Sequence, residues 1–245
     1  MVGDAFGAAL KECLEAGGLL GLVPEIVERD DGLIQTGDAF RYFAPYTAWH
    51  ETDRWACDSL AGRVLDVGAG AGRHSLHLQD RGCDVTALDV SPLACWVCER
   101  RGVKRVVAGT VEELAVTAPQ PFDGFVLLGN NVGLLRNREY APKFLALLAS
   151  LARPGATIVG SCLDPYVGDD PDHLAYHEAN VRAGRMAGQV RLRIRHRRLA
   201  TPWFEYLFAS FDELRSLTAG TSWRIVDHLS VGPTYAVRMR LEGAR

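Results

Sequence analysis

From about residue 60 onward, short apolar segments alternate with segments of helical periodicity. The apolar segments are rich in Val, Leu and Ile and lack strict polar alternation, as is typical of parallel strands covered on both faces. We predict strands at Arg63–Val67, Asp84–Leu88, Arg105–Ala108, Asp123–Leu128 and Ala156–Cys162. This alternation of strands and helices indicates βαβ units around a parallel sheet.

Capping residues mark the helices between these strands. A helix over His74–Asp80 is followed by Arg81-Gly82, a basic residue and then a glycine stop. A second helix, Pro92–Arg101, opens with Ser91 as N-cap and proline in its first turn. A third is predicted over Ala141–Leu151. Each helix fits the gap between two predicted strands.

The end of the chain changes character. Ser210–Glu213 predicts a helix start, and Trp223–Leu229 and Thr234–Leu241 predict two strands joined by a Gly-Pro turn. Together with the earlier strands, these elements predict an α/β fold: a doubly wound, mostly parallel seven-stranded sheet with a C-terminal antiparallel hairpin, in a three-layer sandwich.

Two domain boundaries follow from this pattern. Residues 1–59 look helical with an aromatic segment and are expected to form an N-terminal helical cap or lid. Residues 60–245 are expected to form the Rossmann-like domain, with an acceptor-side insertion at about 164–209.

Composition narrows the class of protein. The 245 residues suit one large α/β domain, and 48% hydrophobic with 23% charged residues is ordinary for a soluble globular protein. A net charge of -3 argues against a nucleic-acid partner. The chain has neither a signal-peptide pattern nor an apolar run long enough for a membrane span. Its six scattered cysteines fit a reduced, cytoplasmic protein better than a disulfide scaffold.

The strand at Val64 runs directly into a glycine-rich turn with the pattern D-x-G-x-G-x-G. Its residues are Asp66, Gly68, Gly70 and Gly72. Glycines allow a tight turn and a close backbone approach to a ligand, and the next helix presents free N–H groups. A dinucleotide fingerprint needs a small residue at the sixth position, where this chain has Arg73 or Ser75.

The turn instead resembles that of class I S-adenosylmethionine-dependent methyltransferases, over roughly residues 60–165. The resemblance implies that S-adenosylmethionine is the cofactor, that S-adenosylhomocysteine is the product, and that the aspartate and glycines of the turn contact the cofactor. It also implies that Asp89, at the end of the second strand, accepts both ribose hydroxyls, with Val90 beside it. The alternative is that Asp89 only caps the helix that follows Ser91.

Further cofactor contacts follow from the same resemblance. Backbone groups of Thr110 and Val111, or the Glu112 side chain, are expected at the adenine, unless the glutamates only favour a helix start. Gly129 and Asn130 are expected on the methionine side.

Two further positions near the turn are predicted to contact ligands. Asn131 is expected to face the cofactor or the acceptor. Arg73 either pairs with the cofactor carboxylate or lies on the surface, and both interpretations stay open.

An aromatic segment precedes the sheet and is expected to close over the cofactor. Tyr42 and Tyr46 are predicted on the cofactor side, with Tyr46 also an acceptor contact. Trp49 and His50 are predicted to face the acceptor, with His50 as a candidate catalytic residue. Phe40 and Phe43, by contrast, are favoured as a satellite core.

The insertion after the fifth strand supplies further acceptor candidates. Asp164 and His173 are candidate general bases, and Tyr166 is a candidate substrate contact. His173 and His177 are spaced to share one helix face, but without a third ligand a metal site is not expected.

A strand-like segment, Gln189–Arg198, alternates arginine with Val, Leu and Ile. The arginine face either meets an acidic substrate or nucleic acid, or belongs to a solvated edge strand, and the edge interpretation is favoured. Trp203 follows as part of an apolar wall for the acceptor. The Cys95–Cys98 pair stands alone and indicates packing.

The predicted function is therefore in-line methyl transfer to a small-molecule acceptor, whose accepting atom (N, O or C) is open. The alternatives are an RNA or protein methyltransferase, and a regulatory subunit that binds the cofactor without turnover. The chain lacks the Asn/Asp-Pro-Pro-aromatic motif of branches that modify amines and bases, which argues against a nucleic-acid base as acceptor.

Overall fold

The structure is a computed structural model that describes residues 1–117 and 120–242. Its α-helices are α1 (Ala5–Glu15), α2 (Glu51–Cys57), α3 (Arg73–Asp80), α4 (Pro92–Arg101), α5 (Val111–Thr117), α6 (Ala141–Ser150), α7 (Pro171–Arg182) and α8 (Phe211–Thr218). Its strands are β1 (Pro24–Arg29), β2 (Ile34–Asp38), β3 (Arg63–Val67), β4 (Asp84–Asp89), β5 (Val106–Ala108), β6 (Phe122–Leu127), β7 (Ala152–Leu163), β8 (Gln189–His196), β9 (Leu199–Ala200), β10 (Phe204–Leu207), β11 (Trp223–Val231) and β12 (Thr234–Leu241). Short 3₁₀ helices cover Ala39–Tyr42, Tyr46–Ala48 and Asn131–Leu135.

The large sheet has the order β11-β12-β7-β6-β3-β4-β5. Its strands from β7 to β5 pair in parallel, whereas β12 runs antiparallel to both β7 and β11. The predicted seven-stranded α/β sheet with a C-terminal antiparallel hairpin is confirmed. The chain reverses its strand order between β3 and β6, which is where ligands bind in such sheets.

Local sequence signals explain where the helices of this sheet begin and end. The Ser91 hydroxyl accepts a hydrogen bond from Ala94 N at the start of α4, and Gly102 ends that helix with a φ of 100°. Ser210 and Glu213 form a reciprocal capping box at the start of α8. The helices cover the sheet and bury side chains such as Leu65 and Phe125 completely.

A second, smaller antiparallel sheet has the order β10-β8-β1-β2, with β9 paired to β8. The prediction that residues before 60 are helical is therefore wrong for β1 and β2, which form a hairpin. Gly32, with a φ of 96°, allows the turn between them. Ile26 pairs with Arg195, so the small sheet joins the N-terminal region to the insertion after β7.

The arginine-rich strand β8 lies inside this small sheet, between β1 and β10, so its interpretation as an edge strand is wrong. Arg193 and Arg195 both form ion pairs with Glu28 of β1, at 2.8 and 2.7 Å. Arg197, just beyond the strand, pairs with Glu12 of α1 at 2.7 Å. These arginines therefore bind neighbouring carboxylates of the same chain.

The remaining predictions from composition concern cysteines and membranes. All six cysteine thiols are free, and Cys95 and Cys98 lie buried in α4, where their sulfur atoms face backbone carbonyls. Within residues 1–117 and 120–242, no helix has both the length and the apolar character that a bilayer crossing requires.

Candidate functional site

A cleft of about 1450 Å³ opens at the carboxyl ends of β3, β4, β5 and β6. Its glycine-turn half is formed by the loops that follow these strands. Its small-sheet half is formed by one face of the small sheet, by α7 and by the loop after β7. Because pockets for a single small ligand usually hold roughly 300–1,000 Å³, the cleft has room for two ligands side by side.

Glycine is required at two positions of the turn after β3. Gly68 has a φ of 72°, and a Cβ there would lie 2.7 Å from Asn131 Nδ2. That amide nitrogen donates hydrogen bonds to the Val67 and Gly68 carbonyls, which fixes the turn against the loop after β6. A Cβ on Gly72 would lie 2.8 Å from Val103, so this glycine lets α3 start close to its neighbours.

Some residues of the glycine motif line the cleft, and others support the turn from below. Gly68 lines the cleft, whereas Gly70, Gly72 and Asp66 do not. Asp66 lies buried below the turn, where its carboxylate accepts a hydrogen bond of 2.6 Å from the Ser75 hydroxyl. Burial raises the pKa of Asp66 above its usual range. Contrary to the expected direct contact, Asp66 supports the turn from beneath.

Asp89 lies at the end of β4 and lines the cleft beside the exposed Val90. Its two carboxylate oxygens accept hydrogen bonds from Gly70 N and Ser91 N, each 2.9 Å long. Burial raises the pKa of Asp89 to about 6. Since the Ser91 side chain caps α4, Asp89 does not fill that role, and its remaining lone pairs are available to a ligand.

The two glutamates of the loop after β5 have the two roles that were predicted as alternatives, a helix start and a position at the ligand space. Thr110 and Glu113 cap α5 reciprocally, because Glu113 N donates to the threonine hydroxyl and Thr110 N donates to Glu113 Oε2. Glu112 lines the cleft with Thr110 and Val111, and it accepts a 2.6 Å hydrogen bond from the Tyr140 hydroxyl. One glutamate therefore starts the helix, and the other faces the ligand space.

Arg73 lines the cleft and is 16% exposed, so its interpretation as a surface residue is wrong. It donates to Asp53 Oδ2 at 3.0 Å and to the Arg41 carbonyl. Burial opposes ionisation of Asp53, but His74 and Arg73 outweigh it and lower the pKa of Asp53 to about 2. Among the described residues, buried His74 Nε2 has no hydrogen-bond partner. Gly129 lies beside this group.

The loop after β6 connects the two halves of the cleft. Asn130 adopts a left-handed φ of 74°, and its side-chain oxygen accepts from Leu163 N at 2.7 Å. Its backbone carbonyl accepts a 2.6 Å hydrogen bond from the Tyr206 hydroxyl of β10. Asn130, Asn131 and Tyr206 therefore lie where the glycine-turn half meets the small-sheet half.

The aromatic segment before β3 lies only partly in the cleft. Tyr42 and His50 line the cleft, and His50 also caps α2. Tyr46 and Trp49, contrary to the prediction, do not line it. Tyr46 stacks on His77, and Trp49 is 4% exposed and donates to a backbone carbonyl.

The two phenylalanines of the same segment pack in a satellite core, which was the favoured interpretation. Phe43 is buried in a cluster with α1 and α4, and Phe40 packs against that cluster. Both side chains therefore belong to a satellite core.

His173 lines the cleft, but its surroundings argue against the predicted catalytic role. Arg29 Nη1 lies 2.8 Å from Nδ1 of His173. Because a guanidinium only donates, Nδ1 must accept from Arg29, and the ring proton of the neutral imidazole lies on Nε2. The imidazole lone pair is therefore already occupied.

The other acceptor-side candidates differ in position. Asp164, His177 and Trp203 line the small-sheet half of the cleft. Tyr166 is 57% exposed, donates to Glu213 and does not line it, contrary to the prediction. Over the described ranges of the chain, no cluster of His, Cys, Asp or Glu side chains is suited to a metal ion.

Sequence reasoning missed several residues that line the cleft. Glu25, Arg29, Gln35, Arg41 and Asp53 are among the polar ones. Val27 of β1 is an apolar one, and it lies on the same face of the small sheet as Val190, Leu192 and Ile194. The alternation within Gln189–Arg198 had already grouped three of these, Val190, Leu192 and Ile194, on one face of a strand.

Known proteins resemble this chain in sequence and in fold. Residues 64–155 match the family model of a methyltransferase domain. Ubiquinone biosynthesis O-methyltransferase from Xanthomonas campestris is 34% identical over 110 residues, which are 42% of this chain and 43% of that protein. The protein of the same name from Xylella fastidiosa is 30% identical over 115 residues, 43% of this chain and 44% of that protein. The chain thus spans less than half the length of these curated relatives.

Solved structures resemble the chain over a longer span. A SAM-dependent methyltransferase from Bacteroides fragilis, in complex with S-adenosylhomocysteine, has a TM-score of 0.80 at 24% identity and is matched over 98% of this chain and 95% of that chain. The 1,6-didemethyltoxoflavin-N1-methyltransferase of Burkholderia thailandensis has a TM-score of 0.53 at 24% identity, with 79% of each chain covered. At this identity the likeness establishes the fold.

Proposed function

We propose that this chain, which has the class I methyltransferase fold and a methyltransferase domain over residues 64–155, transfers a methyl group from S-adenosylmethionine to a small-molecule acceptor. The observation that carries the proposal is the two-part cleft: a glycine turn and a buried aspartate in one half, and a mostly apolar wall in the other. The first half suits an adenosyl ligand. The second half suits an acceptor no larger than a metabolite.

The residues of the glycine-turn half fit S-adenosylmethionine. Asp89 would hold the ribose hydroxyls, because both of its oxygens keep free lone pairs at the cleft wall. Glu112 and the start of α5 would hold the adenine. At the opposite end, Arg73 and His74 would hold the polar methionine end; among the described residues, His74 Nε2 has no hydrogen-bond partner and lies 3.8 Å from Asp53 Oδ2.

The bound cofactor would supply a methyl group on a sulfonium, which is already a good leaving group. The chain's own contribution is alignment and exclusion of water. Asn131 fixes the glycine turn against the loop after β6, and Tyr206 ties the small sheet to Asn130. These contacts hold the two halves at a fixed separation, so that an acceptor lies against the end of the cofactor.

A nucleic-acid acceptor receives no support from the arginine strand. The side chains of Arg193 and Arg195 are paired with Glu28, while the apolar residues of the same strand line the cleft. A phosphate backbone needs unpaired cations along its path. A small molecule is the acceptor that this surface favours.

Ligand binding and methyl transfer test the proposal. Isothermal titration should show S-adenosylhomocysteine binding and no binding of NAD, because Arg73 and Ser75 stand where a dinucleotide fold needs a small residue. A screen with S-adenosyl-[methyl-³H]methionine should transfer label to at least one acceptor. The candidate acceptors are metabolites with a hydroxyl group, an amino group or a nucleophilic carbon. Absence of S-adenosylhomocysteine binding would refute the proposal. Binding without transfer to any acceptor class would favour a regulatory subunit instead.

A further inference from the structure

The carboxylate of Glu25, on β1, lies in the cleft wall and is not one of the groups proposed above to hold the cofactor. The residue is 4% exposed. Its Oε1 accepts a 2.5 Å hydrogen bond from the Tyr42 hydroxyl, and its Oε2 pairs with Arg41 Nε at 3.2 Å. A carboxylate has about four lone-pair positions. Two of them therefore remain for a ligand in the cleft.

The contacts of Tyr42, which donates to Glu25, locate this carboxylate within the cleft. A Cβ placed on Gly70 would lie 3.4 Å from the Tyr42 ring, so Tyr42 covers the glycine turn. Tyr206, across the cleft, reaches Asn130 at the end of β6. Glu25 therefore lies near the junction of the two halves, where an acceptor would meet the methyl group.

The Glu25 carboxylate is buried although its partner Arg41 is 58% exposed, and a few such polar groups in a cleft wall typically orient a bound ligand. Several neighbouring ionisable groups have partners within the chain. Asp53 binds Arg73, and the Tyr206 hydroxyl donates to a backbone carbonyl. His173 has its lone pair against Arg29. Glu25 keeps acceptor capacity beside this junction, because each of its oxygens has one partner.

Beyond the polar residues Glu25 and Arg29, the cleft-facing side of the small sheet is mostly apolar. Val27 follows two residues later on the same face of β1 and pairs with Ile194 of β8, and Leu192 pairs with Phe204 of β10. The arginines of β8 point to the opposite face, as the alternation of a strand requires. A charged acceptor would lose its hydration against these apolar side chains, and the two arginines nearby, Arg29 and Arg41, are already paired with Asp31 and Glu25.

We propose that the acceptor is an uncharged, largely apolar hydroxy compound that packs on Val27, Leu192 and Ile194 and donates its hydroxyl to Glu25. This inference rests on the proposed methyl transfer. As the acceptor oxygen bonds to the methyl carbon, the carbon–sulfur bond breaks with its electron pair left on sulfur. The hydroxyl proton passes to the Glu25 carboxylate and then to solvent. Glu25 is thus a catalytic residue of an O-methylation.

Probe binding to the cofactor-free protein tests the substrate class. The probes are 2-naphthol, its methyl ether 2-methoxynaphthalene, and the anion 2-naphthalenesulfonate, titrated by fluorescence near neutral pH. We expect 2-naphthol to bind about tenfold more tightly than either of the others, because a hydrogen bond to a charged group is among the stronger ones. Equal affinity for the three probes would overturn the inference.

Two pairs of variants locate the binding. Glu25→Gln should reduce the preference for 2-naphthol over its methyl ether to less than about threefold, whereas Glu25→Asp, which keeps the carboxylate, should retain part of it. Leu192→Lys should weaken 2-naphthol binding at least about tenfold, because it places a cation in the apolar wall. Arg191→Lys, the adjacent residue on the outer face, is the matched control and should leave the affinity unchanged.

The outcomes separate this inference from the proposed function. Absence of S-adenosylhomocysteine binding with the expected probe pattern would refute methyl transfer but leave the description of the wall intact. S-adenosylhomocysteine binding with an unaltered 2-naphthol preference in Glu25→Gln would refute the role of Glu25. The three-probe comparison on the wild-type protein remains decisive even where a variant does not fold.

Discussion

Lowering the pH through 6 should weaken binding of S-adenosylhomocysteine, because it protonates Asp89. Burial of this carboxylate at the end of β4 raises its pKa to about 6. The proposed contact with two ribose hydroxyls requires the ionised form, which accepts with both oxygens. The protonated form turns one of its acceptors into a donor, and it also weakens the hydrogen bonds from Gly70 N and Ser91 N.

The size of the effect follows from the fraction of ionised carboxylate. If only the ionised form binds, the apparent Kd rises about twofold at pH 6 and about tenfold at pH 5 relative to neutral pH, since binding scales with the competent fraction. The free energy of unfolding should respond in the opposite direction. A raised carboxyl pKa destabilises the ligand-free fold above pH 6, and this cost decreases as the pH falls toward the ordinary value of 3.8. Protonation of Asp89 at low pH should therefore weaken S-adenosylhomocysteine binding without a matching loss of stability.

Isothermal titration between pH 5 and 7.5, with thermal unfolding of the ligand-free protein in the same buffers, separates the two effects. Asp89→Asn is the control: it should weaken S-adenosylhomocysteine binding roughly 100-fold, because charge-assisted hydrogen bonds are replaced by a neutral one, and it should abolish the pH dependence. A wild-type affinity that stays constant down to pH 5, or an Asp89→Asn affinity within threefold of wild type, would refute the reasoning.

Two further predictions concern the glycine turn and the arginine strand. Gly72→Ala should lower the free energy of unfolding by about 3 kcal/mol, because it combines left-handed backbone strain with a clash against Val103. Gly82→Ala, which also has a left-handed φ but has open space around the added Cβ, should lower it by about 1 kcal/mol. Urea denaturation measures both losses, and equal losses would contradict the packing argument. A roughly 20-nucleotide RNA should not bind the protein in a filter assay at about physiological ionic strength, because Arg193 is paired with Glu28. Tight binding that weakens steeply with added salt would contradict this prediction.

The sequence predicted the large sheet well because its signals are local. Each parallel strand is a short apolar run, and each helix has its own start or stop, such as Ser91-Pro92 or Gly102. These features depend on residues within one turn of each other. The glycine turn and Asp89 were predictable for the same reason, since the end of a strand places them at one edge of the sheet.

The small sheet escaped prediction because its pairings are remote in sequence. Ile26 of β1 pairs with Arg195 of β8, and neither segment indicates its partner. One local signal was present: Asp31-Gly32 is a common hairpin turn, and the apolar pairs Ile26-Val27 and Leu33-Ile34 lie on either side of it. Recognising it would have replaced the predicted helical cap with β1 and β2, but it would not have identified β8 as their neighbour.

That missing sheet also explains why the acceptor residues were predicted less well than the cofactor residues. As an isolated edge strand, β8 was expected to present its arginines to solvent, with no functional face assigned to Val190, Leu192 and Ile194. Inside a sheet, the same alternation turns Leu192 and Ile194 toward the cleft and leaves Arg193 with Glu28. The remote pairing therefore decides which face of β8 lines the cleft, and no local pattern in the sequence contains that information.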